Sequence, residues 1–336
     1  MVKTAVPHAG SGASAPKRAL KRSTKRNLFV LAVLAPTMVW FVIFMFLPIV
    51  NVVIYSFTNA HMAYDTFKFV GLQQYIKMFT ADPIFPIAMR NTIVVALIIV
   101  PATVVLSILL AVGLNAMTKK LREFFTFVYF LPSIVSTVAI SLVWRWLYHQ
   151  NYGLINAFLE LIGLPKQPFL NSSSQALVCL CIIQIWCIFG YYAVVLLAAI
   201  RNIDGSLYEA ASIDGANSVQ QFFRITLPLL HNNILFVCIM STTTAFMFFT
   251  PVKILTDGTP GTSTQVLLLH IMNRGISDSN VGYASALSLV LMMIILFFSL
   301  VQWVLTKERK PRPSYMRREL REQLAKEKEV QKDGSH

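Results

Sequence analysis

EAASIDGANSVQQFFRITLPLL, residues 209–230, is polar, compact and helical in pattern, and it lies between two long apolar runs. Glu209-Ala210-Ala211 opens a short helix, Gly215 breaks it, and an amphipathic segment carrying Phe222, Phe223, Ile225 and Leu227 runs to Pro228. A glycine at that point suits a tight turn between two short helices and allows another backbone to come close. Pro228 stands where the next apolar run begins, a position at which a missing N–H is harmless. A helix-turn-helix of this kind cannot bury its apolar face alone. It calls for a membrane, a bundle of its own or a partner protein.

Working outward, the chain supplies the membrane. Of its 336 residues 56% are hydrophobic and 13% charged, and a mean hydropathy of +0.62 places it among polytopic membrane proteins. Six uncharged apolar runs, at 28–50, 92–117, 124–143, 176–200, 234–252 and 281–306, approach or exceed the roughly 20 helical residues that span a bilayer. At this length only helices satisfy their backbone polar groups in lipid, so the expected fold is an all-α membrane bundle. The expected layout is a basic tail at 1–27, a six-span domain at 28–306 containing the 201–230 loop, and a charged tail at 307–336. The run at 28 is too long for a signal-peptide core and reads as an uncleaved first span.

Charge sets the orientation. Of the 29 Lys and Arg residues, 22 fall in the two tails and the even-numbered loops, 6 fall in the odd-numbered loops, and Arg145 stands at a span end. That asymmetry follows the positive-inside rule, placing both termini and the 209–230 loop in the cytoplasm. The cluster Lys17, Arg18, Lys21, Arg22, Lys25 and Arg26 reads as an anchor on the lipid surface. A net charge of +14 would also suit nucleic acid, but no aromatic interleaving or binding motif accompanies it.

Catalytic constellations are missing. There is no Gly-Lys dipeptide for a phosphate-binding loop, no H-E-x-x-H and no C-x-x-C. Cys179, Cys181, Cys187 and Cys238 all fall inside apolar runs, where they read as packing residues. The chain is expected to be a non-enzymatic transport component with no cofactor or metal of its own.

The 209–230 stretch resembles the EAA loop of binding-protein-dependent ABC importer permeases: Glu209-Ala210-Ala211, three residues, Gly215, nine residues, then Ile225-x-Leu227-Pro228. The segment FVGLQQYIKMFTADPIF at 69–85 and Asn91-Thr92 resemble the G-L-x-N-Y and N-T signatures of maltose-type sugar permeases, with Gln74 in place of Asn. Leu154-Ile155-Asn156 and the 256–261 turn, with Thr259 replacing a glycine, are similar to elements of the same family. The resemblance covers residues 28–306. It implies a type I importer-like permease of six spans in a bacterial inner membrane. Glu209, Ala210, Ala211, Asp214, Gly215, Ile225, Leu227 and Pro228 would then couple to an ATPase. The implied partners are a second permease in a heterodimer, two cytoplasmic ATPase subunits that bind ATP and Mg, an extracytoplasmic solute-binding protein, and membrane lipids.

Polar side chains inside spans point to a pathway. Gln184, Cys187, Ile188 and Tyr191 recur at i, i+3, i+4 and i+7, as do Ser241, Thr244, Ala245 and Phe248, so each set shares one helix face. By resemblance these positions fall where maltose-type permeases hold their sugar. Gln and Thr suit hydroxyl groups and aromatic rings can stack on a sugar, while helix–helix packing is the competing use of such residues. The expected function is an ATP-driven importer permease for a sugar or oligosaccharide. Glycerol phosphate or another polar solute is the same-class alternative. A stand-alone channel or secondary transporter is the other class, and the absence of Asp and Glu from all six runs argues against ion coupling.

Overall fold

The structure is a computed structural model in which residues 17–63 and 67–306 are described. Residues 1–16 and the tail expected at 307–336 lie outside the described residues. From Lys17 the backbone is already helical, so the described end of the basic tail runs into the first span as one helix. The chain runs through α1 (Lys17–Phe41), a π-turn at Val42–Phe46, α2 (Leu47–Ser56), α3 (Gln73–Thr80), α4 (Ile84–Ala116), α5 (Lys119–Ile134) and α6 (Thr137–Leu147). It continues with α7 (Leu154–Leu161), α8 (Ala176–Arg201), α9 (Gly205–Ile213), α10 (Ser218–Gln221), a second π-turn at Phe222–Thr226, and α11 (Leu227–Leu229). The last elements are α12 (His231–Phe246), α13 (Thr250–Leu255), α14 (Leu267–Met272) and α15 (Val281–Thr306). An isolated antiparallel bridge joins Thr58 and Phe69.

Five helical runs are long and apolar enough to cross a bilayer: Phe29–Ser56, Ile84–Ala116, Ala176–Arg201, His231–Leu255 and Val281–Leu305. The sixth differs from expectation. In place of one span over 124–143, α5 and α6 meet at 98°. Pro132 lies inside the last turn of α5, and Val135 and Ser136 then adopt extended ψ angles of 143° and 127°. A proline withdraws one helical N–H and crowds the turn before it, which favours a break here over a continuous helix. The fifth span also loosens, between α12 and α13, one residue ahead of Pro251.

The described residues form two compact units, one drawn from 17–80 and 274–289, the other from 81–273 and 290–306. In the first, Gln74 donates to the Thr58 carbonyl at 2.9 Å and Lys77 sits 5.1 Å above the Tyr283 ring. The Gln that replaces the family's Asn is therefore a buried strut.

The second unit carries most of the bundle. Here α4 lies along α8, α12 packs on α4, α5 on α8 and α13 on α6. Ala111, Leu114, Tyr192, Leu196, Ile200 and Leu230 share one buried cluster. Gly190 lets α5 close on α8, since any Cβ there would run into the Tyr129 carbonyl. Small residues at a helix crossing do this commonly in membranes. Ser107 ties α4 to α8 through the Phe189 carbonyl at 2.9 Å.

One end of α4 is clasped to the segment before the last span. The Asn91 amide donates to the carbonyls of Thr262, Ser263 and Gln265 at 3.3, 3.1 and 2.9 Å, and the Thr92 hydroxyl accepts from Leu267 N–H at 2.8 Å. Asp82 caps the helix, accepting from Ile84 and Phe85 N–H through one oxygen. Its other oxygen meets Nε2 of His270 at 2.7 Å, with both side chains only 2% exposed. The Asn-Thr pair singled out in the sequence thus anchors a loop. Asn156 does the same for 150–167, bonding Gln150 and Gln167 three times.

Candidate functional site: a polar cavity and a braced loop

Gln184, Cys187, Ile188 and Tyr191, predicted to share a face of α8, line one cavity of about 230 Å³. Pro132, Ser133, Val135 and Thr137 form its other wall, and Tyr192 completes the lining. Cys187, expected to be a packing residue, reaches the cavity. The Tyr191 ring is 43% exposed and stacks on Phe130 with centroids 6.2 Å apart. Gln184 is 9% exposed and makes no hydrogen bond among the described residues. Gln184 starts the third turn of α8, so it sits about 12 Å from the Ala176 end at the usual helical rise.

The second predicted set does not join this wall. Ser241 and Phe248 are buried in packing; Ser241 bonds back to the Cys238 carbonyl at 3.1 Å. Ala245 is fully buried. Thr244 bonds to the Met240 carbonyl at 3.0 Å and reaches the cavity only through Tyr192, whose side chain it contacts. Phe248 follows the end of α12 at Phe246, so its helical register with Ser241 is lost. The period-3.6 argument assumed a continuous helix, and the loosened span breaks it.

The 209–230 loop is two helices around a glycine, as predicted, with one correction. The first helix begins at Gly205, so Glu209 sits in its second turn and not at its N-terminus. Asp204 is the cap, accepting from Ser206 N–H at 3.0 Å, and that bond holds its carboxyl below the usual range. Gly215 has φ +80°. Its N–H donates to Ser212 and that of Ala216 to Ala211, at 3.1 and 2.9 Å, closing the helix with paired carbonyls. Asn217 and Gln220 then cap each other reciprocally.

Cross-braces make the loop one body. The hydroxyls of Tyr208 and Thr226 lie 2.9 Å apart, and Gln221 donates to Ser212 Oγ at 2.9 Å. Glu209, Ala210, Asp214 and Pro228 are exposed, while Ala211, Ile225 and Leu227 are half-buried. Leu207, Ile213, Val219 and Phe223 also leave apolar side chains exposed. At its end, Leu230 enters the cluster that holds Tyr192. The loop therefore ends in the same buried cluster as a residue of the cavity wall.

Sequence reading missed the broken span, Gly190 and the Asp82–His270 pair. Pro132 gave a signal for the first, whereas nothing in the sequence joins positions 82 and 270.

Apolar spans, a small cavity without ionised groups between α5, α6 and α8, and a braced loop with exposed apolar side chains define a multi-pass membrane transport subunit. The chain belongs to the family described as binding-protein-dependent transport system inner membrane component, whose profile matches residues 103–310. It is a permease subunit of an ABC importer. It is 35% identical over 299 residues to the probable ABC transporter permease protein YesP of Bacillus subtilis (strain 168), covering 87% of this chain and 94% of that one. The lactose transport system permease protein LacF of Rhizobium radiobacter is 32% identical over 306 residues, 89% of this chain and 100% of that one. The crystal structure of a bacterial ABC transporter involved in import of the acidic polysaccharide alginate aligns with a TM-score of 0.75 at 24% identity. That alignment covers 87% of this chain and 100% of the other, and it shows the shared fold.

Proposed function

We propose that this permease moves a sugar or oligosaccharide and forms half of the pathway, with a second permease as the other half. The observation that carries this reading is the cavity: an unpartnered amide, hydroxyls and an exposed ring, with no ionised group among its lining residues. Amides and hydroxyls match sugar hydroxyls, and an aromatic face matches the apolar face of a pyranose. Relatives named for lactose, arabinooligosaccharides and diacetylchitobiose support the same solute class.

The coupling partner is a cytoplasmic ATPase, met by Glu209, Ala210, Ala211, Asp214 and Gly215 together with the exposed apolar side chains of the loop. Two such subunits bind ATP and Mg, an extracytoplasmic protein delivers the solute, and both termini lie in the cytoplasm. Contiguous exposed apolar side chains on a polar loop mark a protein contact. The second half of the motif, Ile225, Leu227 and Pro228, leads from that contact into the spans.

Two experiments test this. In the reconstituted complex, Gln184→Ala and Tyr191→Ala should each lower uptake of whichever of lactose, diacetylchitobiose or arabinotriose the wild type carries, by roughly three- to thirtyfold. Unchanged uptake in both would place the solute elsewhere. For orientation, Asp214→Cys in intact cells should resist a membrane-impermeant maleimide and react after the membrane is opened. Labelling from outside would invert the topology and remove the ATPase contact.

A further inference from the structure

The break between α5 and α6 leaves backbone polar groups without partners. Among the described residues, no hydrogen bond is made by the N–H groups of Val135, Ser136, Thr137, Val138 or Ala139; the first bond across this point runs from Ile140 to Ser136. Neither Val135 nor Ser136 supplies a side-chain cap. In a chain that spans a membrane such groups are tolerated only where protein covers them or water and solute reach them. Lipid satisfies none of them.

The cavity shows which applies. Ser133, Val135 and Thr137 line it, and Gln184 faces the break from α8, 91% buried and unpartnered. Its primary amide brings two donors and an acceptor to the cavity, none of them used by another described residue. Two independent orphans, one on each wall of one cavity, ask for the same occupant. Its chemistry follows from the break: N–H groups at the start of an 11-residue helix carry positive partial charge and donate to acceptor oxygens.

We propose that the broken third span is a solute-reading element, in which the N–H groups at the start of α6 and the Thr137 hydroxyl bind acceptor oxygens of a polyhydroxylated solute opposite Gln184. This rests on the reading of the cavity as pathway and adds backbone recognition to it. Backbone donors do not depend on side-chain identity, so this wall would bind hydroxyl oxygens in general. Gln184 and Tyr191 would then set which ring is preferred.

The test uses the assembled complex in membranes with its four cysteines replaced by alanine. Ser136→Cys and Thr137→Cys should react with the water-soluble thiol reagent MTSES, while Leu142→Cys, exposed farther along the same helix, should not. Thr137→Pro removes one N–H at a helix position where proline is accepted, after a residue already extended at ψ 127°. It should lower saccharide uptake about tenfold or more, and Thr137→Val, which keeps the N–H, should lower it less. Inert cysteines at 136 and 137, or a cross-link from them to the second permease, would show the break covered by protein and overturn the inference. If Thr137→Pro transports as wild type while Gln184→Ala is impaired, backbone recognition fails and the pathway reading stands; wild-type uptake in both sinks the two together.

Discussion

Gly215→Arg should insert into the membrane at wild-type level and carry no solute. The strain is local and calculable in kind. At φ +80° a residue with a Cβ is unfavourable by about 1–2 kcal/mol, and the two hydrogen bonds that close α9 depend on that turn. No atom beyond the flanking residues lies within 4 Å of a Cβ placed there, so the chain itself has room for the side chain. Relief of the strain therefore takes the form of a re-aimed α9, while a bulky cation is placed on the exposed tip. Glu209→Lys tests the same contact from the second turn of the helix, by reversing charge without backbone strain. Both variants should lose ATPase co-purification or solute-stimulated hydrolysis. Wild-type values of both quantities in Gly215→Arg would remove the loop from the coupling path.

Asp82→Ala should produce the largest loss of stability. The buried carboxylate serves two tasks, capping α4 and meeting His270 at 2.7 Å. Removing one partner of a buried pair is unfavourable by about 3–5 kcal/mol, and a lost cap adds about 1 kcal/mol. The expected result is a thermal midpoint of the detergent-solubilised permease several degrees below wild type, or failure to accumulate. Asp82→Asn retains an acceptor for the cap and should fall between. An Asp82→Ala protein with a wild-type midpoint would contradict the clasp.

The sequence announced these two sites to different degrees, for physical reasons. The loop was legible because its information is local: Gly215, Asn217 and Gln220 act on neighbours within a few residues. The apolar runs were legible because bilayer thickness sets their length. Gln184 and Tyr191 share a cavity wall, as their period implies, since α8 is continuous over both. Phe248 was misplaced because α12 ends before it, and a period carried across a break loses its phase. The third span was read as one run over 124–143, and the break after Pro132 divides it. Asp82 and His270 are 188 positions apart, and no local rule joins them. Glu209 was assigned to a helix N-terminus, yet Asp204 caps that helix and Gly205 begins it.

The loop and the cavity share one buried cluster. Tyr208 and Gln221 brace the loop, Leu230 carries it into the cluster of Tyr192, and Tyr192 lines the cavity. Residues 29–56 present an almost unbroken apolar surface, which suits lipid or the second permease.

The most direct measurement is uptake into proteoliposomes containing both permeases and the ATPase, with the solute-binding protein supplied on one side. Labelled saccharide should accumulate above its external concentration only with ATP inside and loaded binding protein outside, and hydrolysis should rise with it. Saccharide equilibrating through the permease without ATP, or ATP hydrolysis that ignores the loaded binding protein, would contradict a coupled importer.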